Sequence, residues 1–197
     1  MPNPPPIPAA PAGYWRRTFA CLADIIPLMI LGWVAAKWLA GPEELAALKR
    51  SDEWMHHFID QYLRALQGNS PRDLQAVMDM AMHPQEKDIE AIALWGEFQG
   101  TVSFFVMLLG LTFQEWLMQG QSLGKRILHI RTVDVIFQNP PTFIGCLLRS
   151  AWKAAFFTLP NPITIVLGII NFHLPLFRRD GRTWHDLWSK TQVVVES

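Results

Sequence analysis

The chain has 197 residues, half of them hydrophobic, with nine tryptophans and 17 basic residues balanced by 17 acidic ones. That neutrality argues against a nucleic-acid binder, which carries a basic stripe. Its two cysteines, Cys21 and Cys146, fall in apolar stretches and read as buried free thiols, so they do not define a redox compartment.

Residues 1–13 contain six prolines and no charged side chain, a composition that cannot build a core and predicts a disordered arm. Arg16-Arg17-Thr18-Phe19 looks like a twin-arginine export signal. Asp24 interrupts the apolar region behind it, however, and no small-residue cleavage site follows, so an uncleaved anchor is expected. Thr18–Leu39 is apolar except for Asp24 and Lys37. At about 1.5 Å per residue it reaches roughly 33 Å, enough to cross a bilayer core. Trp33 and Trp38 stand near its far end, where amphipathic rings favour the membrane boundary.

Asp24 is out of place in such a helix, where an ionised carboxylate costs on the order of 3 kcal/mol and ordinarily finds a partner inside the bundle. Arg17 lies on the same face seven positions earlier, about 10 Å away along the axis, too far for a direct pair. Each therefore needs a partner from elsewhere in the chain.

Residues 41–97 form an acidic insert with eleven carboxylates against five basic residues. Leu45, Leu48, Met55, Phe58, Tyr62 and Leu66 recur at helical spacing, between Pro42 and Gly68 as start and stop signals. Ser70-Pro71 with Asp73 predicts a second helix and His83-Pro84 a third start. Met78, Met80, Met82 and His83, with Met55, His56 and His57, suit a copper(I) ion chemically. The i, i+4 series Leu74, Met78 and Met82 reads more simply as a core stripe with methionine as filler, so no metal is expected. The insert is a helical cap that packs its stripe on itself or on the membrane face.

Phe98–Met118 is a second apolar span, with Gly100, Ser103 and Gly110 as small contact points and Glu115 expected at the interface rather than buried. The run Ile127–Ile136 is β-prone and ends at Asn139-Pro140-Pro141. Gly124-Lys125 is not a phosphate loop, because the spacing is wrong and no serine or threonine follows the lysine. Two apolar stretches, 142–159 and 163–177, are parted by Pro160-Asn161-Pro162. Arg149 and Lys153 share a face of the first, either snorkelling to headgroups or pointing into the bundle.

Basic residues cluster in three places: Arg16 and Arg17; Lys125, Arg126 and Arg131; and Arg178, Arg179, Arg182 and Lys190. The positive-inside rule assigns all three to the cytoplasm and the insert to the outside. The 142–177 region then crosses an even number of times, which gives four spans, or three if 142–159 lies in the interface. The fold class is an all-α membrane bundle with a helical extracytoplasmic insert and a short cytoplasmic pairing of part of Ile127–Val135 with Thr191–Val195.

Arg17 and Asp24 in the first span, Gly-Gln-Ser-Leu-Gly-Lys-Arg at 120–126 with Ile130-Arg131-Thr132-Val133-Asp134, and Trp184-His185-Asp186 before a valine-rich end resemble the RDD family. The resemblance covers 14–40 and 98–195. The insert is this chain's own addition, and Trp188-Ser189-Lys190 departs from the small residues more common there. It implies that Arg17, Asp24 and Asp186 are the arginine and two aspartates of the family's name. It also implies a transport role, cation/proton exchange included, or an accessory part in a membrane complex.

Two functions follow. In one, Asp24 is a protonatable site in a path for ions or small solutes. In the other, Arg17, Asp24 and Asp186 form a clasp that fixes the bundle as a scaffold. Arg17 is expected to meet Asp186, and Asp24 to meet Arg149 or Lys153. Glu115, Lys125 and His185 are the remaining polar groups in support. No nucleophile–base pair stands out and His185-Asp186 is too sparse for a metal centre, so neither an enzyme nor a cofactor is expected. The expected partners are the bilayer and a second copy or another membrane protein, in a bacterial inner membrane with both termini cytoplasmic.

Overall fold

The computed structural model describes residues 10–68, 71–159 and 161–196, and they are mostly helical. The elements run α1 (Tyr14–Leu39), α2 (Pro42–Gly68), α3 (Pro71–Met82), α4 (Glu86–Leu117), α5 (Leu123–Ile127), β1 (Ile130–Asp134), α6 (Phe143–Thr158), α7 (Pro162–Phe177), α8 (Trp184–Trp188) and β2 (Thr191–Val195). They form two compact units, one holding residues up to Val34 and from Gly100 onward, the other Ala35–Gln99.

Among the described residues, α1 and α4 are the two helices long and apolar enough to cross a membrane. Only 33% of the apolar window of α1 and 17% of that of α4 is buried, which separates them from the core helices of a soluble protein. Leu22, Ile26, Ile30 and Val34 of α1 and Phe105, Leu109 and Phe113 of α4 all stand exposed. α6 and α7 have 16 residues each, about 24 Å of rise. Asn161 caps α7 by accepting from the Ile163 N–H at 2.9 Å, with Pro162 in the first turn.

The core of the first unit joins α1, α4 and α6 through Ile25, Leu28, Met107, Leu111 and Ala154. The expected small contacts on α4 are used: Ser103 backs onto Gly32, and Gly110 onto Leu28. β1 and β2 pair antiparallel, Ile130 opposite Val195 and Asp134 opposite Thr191, as the two β-branched runs predict. Alternation places Ile130, Thr132, Val193 and Thr191 on one face, and that face packs on Ala20 of α1. The sheet draws the start of α1, the 120–134 segment and the tail to one end of the unit.

Two expectations change here. The arm was expected to run free to Gly13, but the Ala12 N–H donates to the Val193 carbonyl at 2.9 Å and the Val195 N–H to the Ala10 carbonyl at 2.9 Å. Backbone pairing along the outer edge of β2 needs no side chain, which composition does not reveal. Residues 1–9 of that arm lie outside the described residues, as does Ser70. The third insert helix and the second span are one helix, α4, of 32 residues, because no breaker stands between Glu86 and Leu117.

In the second unit, much of the apolar stripe is left uncovered by the chain itself. Leu45, Met55, Tyr62 and Leu66 of α2 and Leu74, Met78 and Met82 of α3 are exposed, whereas Ala47, Ala65 and Val77 are buried. α2 and α3 pack on one another. Arg50 ties α2 to α4 by donating from Nε to Asp88 Oδ1 at 2.8 Å.

Candidate functional site

The end of the first unit where the sheet meets α1 holds a buried ionic network, and it starts from Arg17. Its Nη2 donates to Asp186 Oδ2 and its Nη1 to the Gly181 carbonyl. Gly181 presents that oxygen from a left-handed turn at φ +61°, a conformation glycine adopts without strain. Asp186 is fully buried at the third position of α8. It closes a capping box with Thr183: the Thr183 N–H donates to Asp186 Oδ2 at 3.1 Å, and the Asp186 N–H to Thr183 Oγ1 at 3.3 Å.

The other Asp186 oxygen, Oδ1, accepts from Arg149 Nη1 of α6, which also donates to Thr191 Oγ1 on β2 at 2.7 Å. Arg149 Nε stands 3.2 Å from Glu115 Oε1, an ion pair without hydrogen-bond alignment. Lys125 completes the chain of charges, donating to Glu115 Oε1 at 2.6 Å and to Thr132 Oγ1 of β1 at 2.7 Å. Burial favours the protonated Asp186, but Arg17 and Arg149 outweigh it and hold its carboxyl well below the usual range. Burial pulls the Lys125 ammonium down to about 8, against the pull of Glu115, which favours the charge.

His185 belongs to the same shell but not to the charge. Burial holds its imidazole far below the ordinary value, so the ring is neutral near pH 7. The Trp184 N–H donates to Asn171 Oδ1 at 2.9 Å, which orients the amide so that Asn171 Nδ2 donates to His185 Nδ1 at 3.1 Å.

Asp24 does not meet Arg149 or Lys153. Its Oδ2 accepts from Ser122 Oγ, and its Oδ1 from the Gly124 N–H at 2.7 Å. A hydroxyl and a backbone amide satisfy a buried carboxylate without a cation, which frees Arg149 for Asp186 and Glu115. A second correction concerns Glu115, expected at the interface but only 2% exposed between Lys125 and Arg149. The turn at Gly120, at φ +92°, reverses the chain and returns Lys125 to it. Arg149 and Lys153 both point inward rather than snorkelling to the surface.

Gly124 shows why the 120–126 segment has its composition. A Cβ there would lie 2.2 Å from the Ala20 carbonyl oxygen, so only glycine lets α5 touch α1 and bring its amide to Asp24. Sequence reasoning missed Ser122, Gly124, Thr132, Gly181, Thr183, Asn171 and Thr191 as partners. The motif glycines and the Thr-x-x-Asp capping signature at 183–186 were the available signals.

Around this network lies a cavity of about 50 Å³ lined by Arg17, Asp24, Lys125, Arg149, Lys153 and His185, among others. Among the described residues, no group of three or more His, Cys, Asp or Glu side chains is arranged to hold a metal.

Two long helices with exposed apolar faces and a buried arginine–aspartate network at one end fit a helical membrane protein. The sequence profile of the RDD family matches residues 11–190, and the chain belongs to that family of membrane proteins. No curated protein and no solved structure matches it.

Proposed function

We propose that the arginine–aspartate network is a clasp that locks the cytoplasmic end of a four-span inner-membrane bundle, and that the protein acts as a scaffold or accessory subunit. The observation that carries this reading is that Arg17, Asp24 and Asp186 are each satisfied from distant parts of the same chain. A group committed to several buried hydrogen bonds is suited to holding helices together. The three basic clusters belong to segments that the sheet gathers at one end, which supports cytoplasmic termini and an α6–α7 hairpin that returns to its starting side. The exposed apolar side chains of α2 and α3 support a binding role for the insert, with a second copy or another membrane protein as partner.

Transport of an ion or small solute through Asp24 is the second reading, favoured by the cavity beside that carboxylate. Flux in proteoliposomes under a pH gradient, measured together with the yield of folded protein, decides between them. On the clasp reading, wild type gives no flux above empty liposomes and Asp24→Asn lowers the folded yield. Wild-type flux that vanishes in a well-folded Asp24→Asn would overturn it.

A further inference from the structure

The charges around the cavity do not balance. Arg17, Lys125, Arg149 and Lys153 are four cations, whereas Asp24, Glu115 and Asp186 are three carboxylates and His185 is neutral. Arg17, Lys125 and Arg149 each pair with a carboxylate. Lys153 is the surplus: it is 8% exposed, lines the cavity, and makes no hydrogen bond or ion pair with any described residue. Three of the cations share two carboxylates and Asp24 meets none of them, so even with Asp24 facing Lys153 across the cavity the set keeps one positive charge in excess and is complementary to one added negative charge.

The cavity has an apolar extension. It shares Tyr14, Thr18, Cys21 and Phe172 with a second hollow of about 330 Å³ between α1, α6 and α7. Leu22, Phe156, Ile165 and Ile169 line that hollow, and Leu22, Ile165 and Ile169 also stand exposed on the outer surface of the helices. Gly168 gives it depth, since a Cβ there would press on the Phe156 ring at 3.2 Å. A single buried cation beside a long apolar groove fits an amphiphile rather than a free anion.

We propose that the two hollows hold one anionic phospholipid from the surrounding leaflet, its phosphate against Lys153 and one acyl chain between α1, α6 and α7. One phosphodiester charge matches the one unpaired cation. Helical side chains lean toward the N-terminus, so Lys153 reaches back along α6 toward the end where Tyr14 and Thr18 line both hollows. The lipid would fill the site beside the clasp without replacing any of its bonds. The proposal rests on α1, α6 and α7 being bilayer-embedded, which cysteine labelling at residue 161 tests separately. Label reaching that position from the cytoplasm would fail the hairpin, whatever the lipid result.

The test is lipid retention by the full chain, released from nanodiscs of equal phosphatidylglycerol and phosphatidylethanolamine and weighed by native mass spectrometry. Wild type and Lys153→Arg should favour phosphatidylglycerol by about tenfold, the order one charge-assisted contact supplies. Lys153→Met should retain both lipids equally, with an unchanged or higher Tm, because it removes a buried unpaired charge. Soluble glycerol phosphate should not raise the wild-type Tm at concentrations where phosphatidylglycerol does. Equal retention by wild type, a preference that survives in Lys153→Met, or collapse of that variant would each overturn the proposal. So would protection by glycerol phosphate equal to that by the lipid.

Discussion

Asp186 does most to hold the network together, because its two oxygens serve two arginines and its own helix cap. Its carboxyl titrates well below 3.8 in the folded protein and at about that value when unfolded. The unfolded chain therefore takes up the proton first as pH falls. The stability Asp186 contributes is complete well above 3.8 and is lost as the pH falls from there through the lower folded value. Thermal unfolding of the purified protein should show wild type losing Tm from about pH 5 downward, through and below 3.8, with a shallower decline in Asp186→Asn. Identical slopes would mean that the carboxylate carries no such linkage. The Arg17–Asp186 contact was legible in the sequence, because Arg17 starts the first span, Asp186 follows the last on the same side, and the strand pairing draws the tail back over α1. The Asp24 partners were not, because a hydroxyl and a backbone N–H leave no charge signal. Lys153 and Arg149 share a face at four-residue spacing, with the arginine favoured as the carboxylate partner, and the network gives Glu115, Asp186 and Thr191 to Arg149.

At the scale of elements, five-residue α5 does more than its length suggests. It carries Lys125 to Glu115, and its close approach to α1 brings the Gly124 amide to Asp24. Gly124→Ala places a methyl 2.2 Å from the Ala20 carbonyl oxygen, and the segment must shift away. The expected loss is about 1–3 kcal/mol of stability, the usual range for overpacking, read as a lower Tm and a lower folded yield. A variant as stable as wild type would show that the α1–α5 contact is loose. The helices and the strand pairing followed from periodicity and β-branched runs, since both are local signals. What covers each side of α2 did not: Ala47 and Ala65 are buried while Leu45 and Leu66 stand exposed. Apolar periodicity identifies a stripe, whereas close packing chooses the face that lets backbones approach.

For the whole molecule, the clasp links the first helix to the last segments across more than 160 positions of sequence, as the Arg17–Asp186 pair illustrates. Such a contact closes the chain on itself at the end where the sheet and the capping box lie. The two long helices and their exposed apolar faces were readable from composition, because a bilayer imposes length and hydrophobicity on any crossing segment. The continuity of α4 beyond its apolar part was not, since its first turns are polar and resemble a separate element. The most direct test of the clasp is a double-mutant cycle on Arg17→Gln and Asp186→Asn, read as thermal stability of the full chain in detergent. Arg17→Gln takes one of two arginines from a buried carboxylate and Asp186→Asn leaves Arg17 without its carboxylate, so each is expected to cost several kcal/mol. If the two side chains stabilise the bundle as a pair, the double variant should lose little more than either single one, with a coupling of about 2 kcal/mol or more. Additive losses, with coupling near zero, would contradict the clasp.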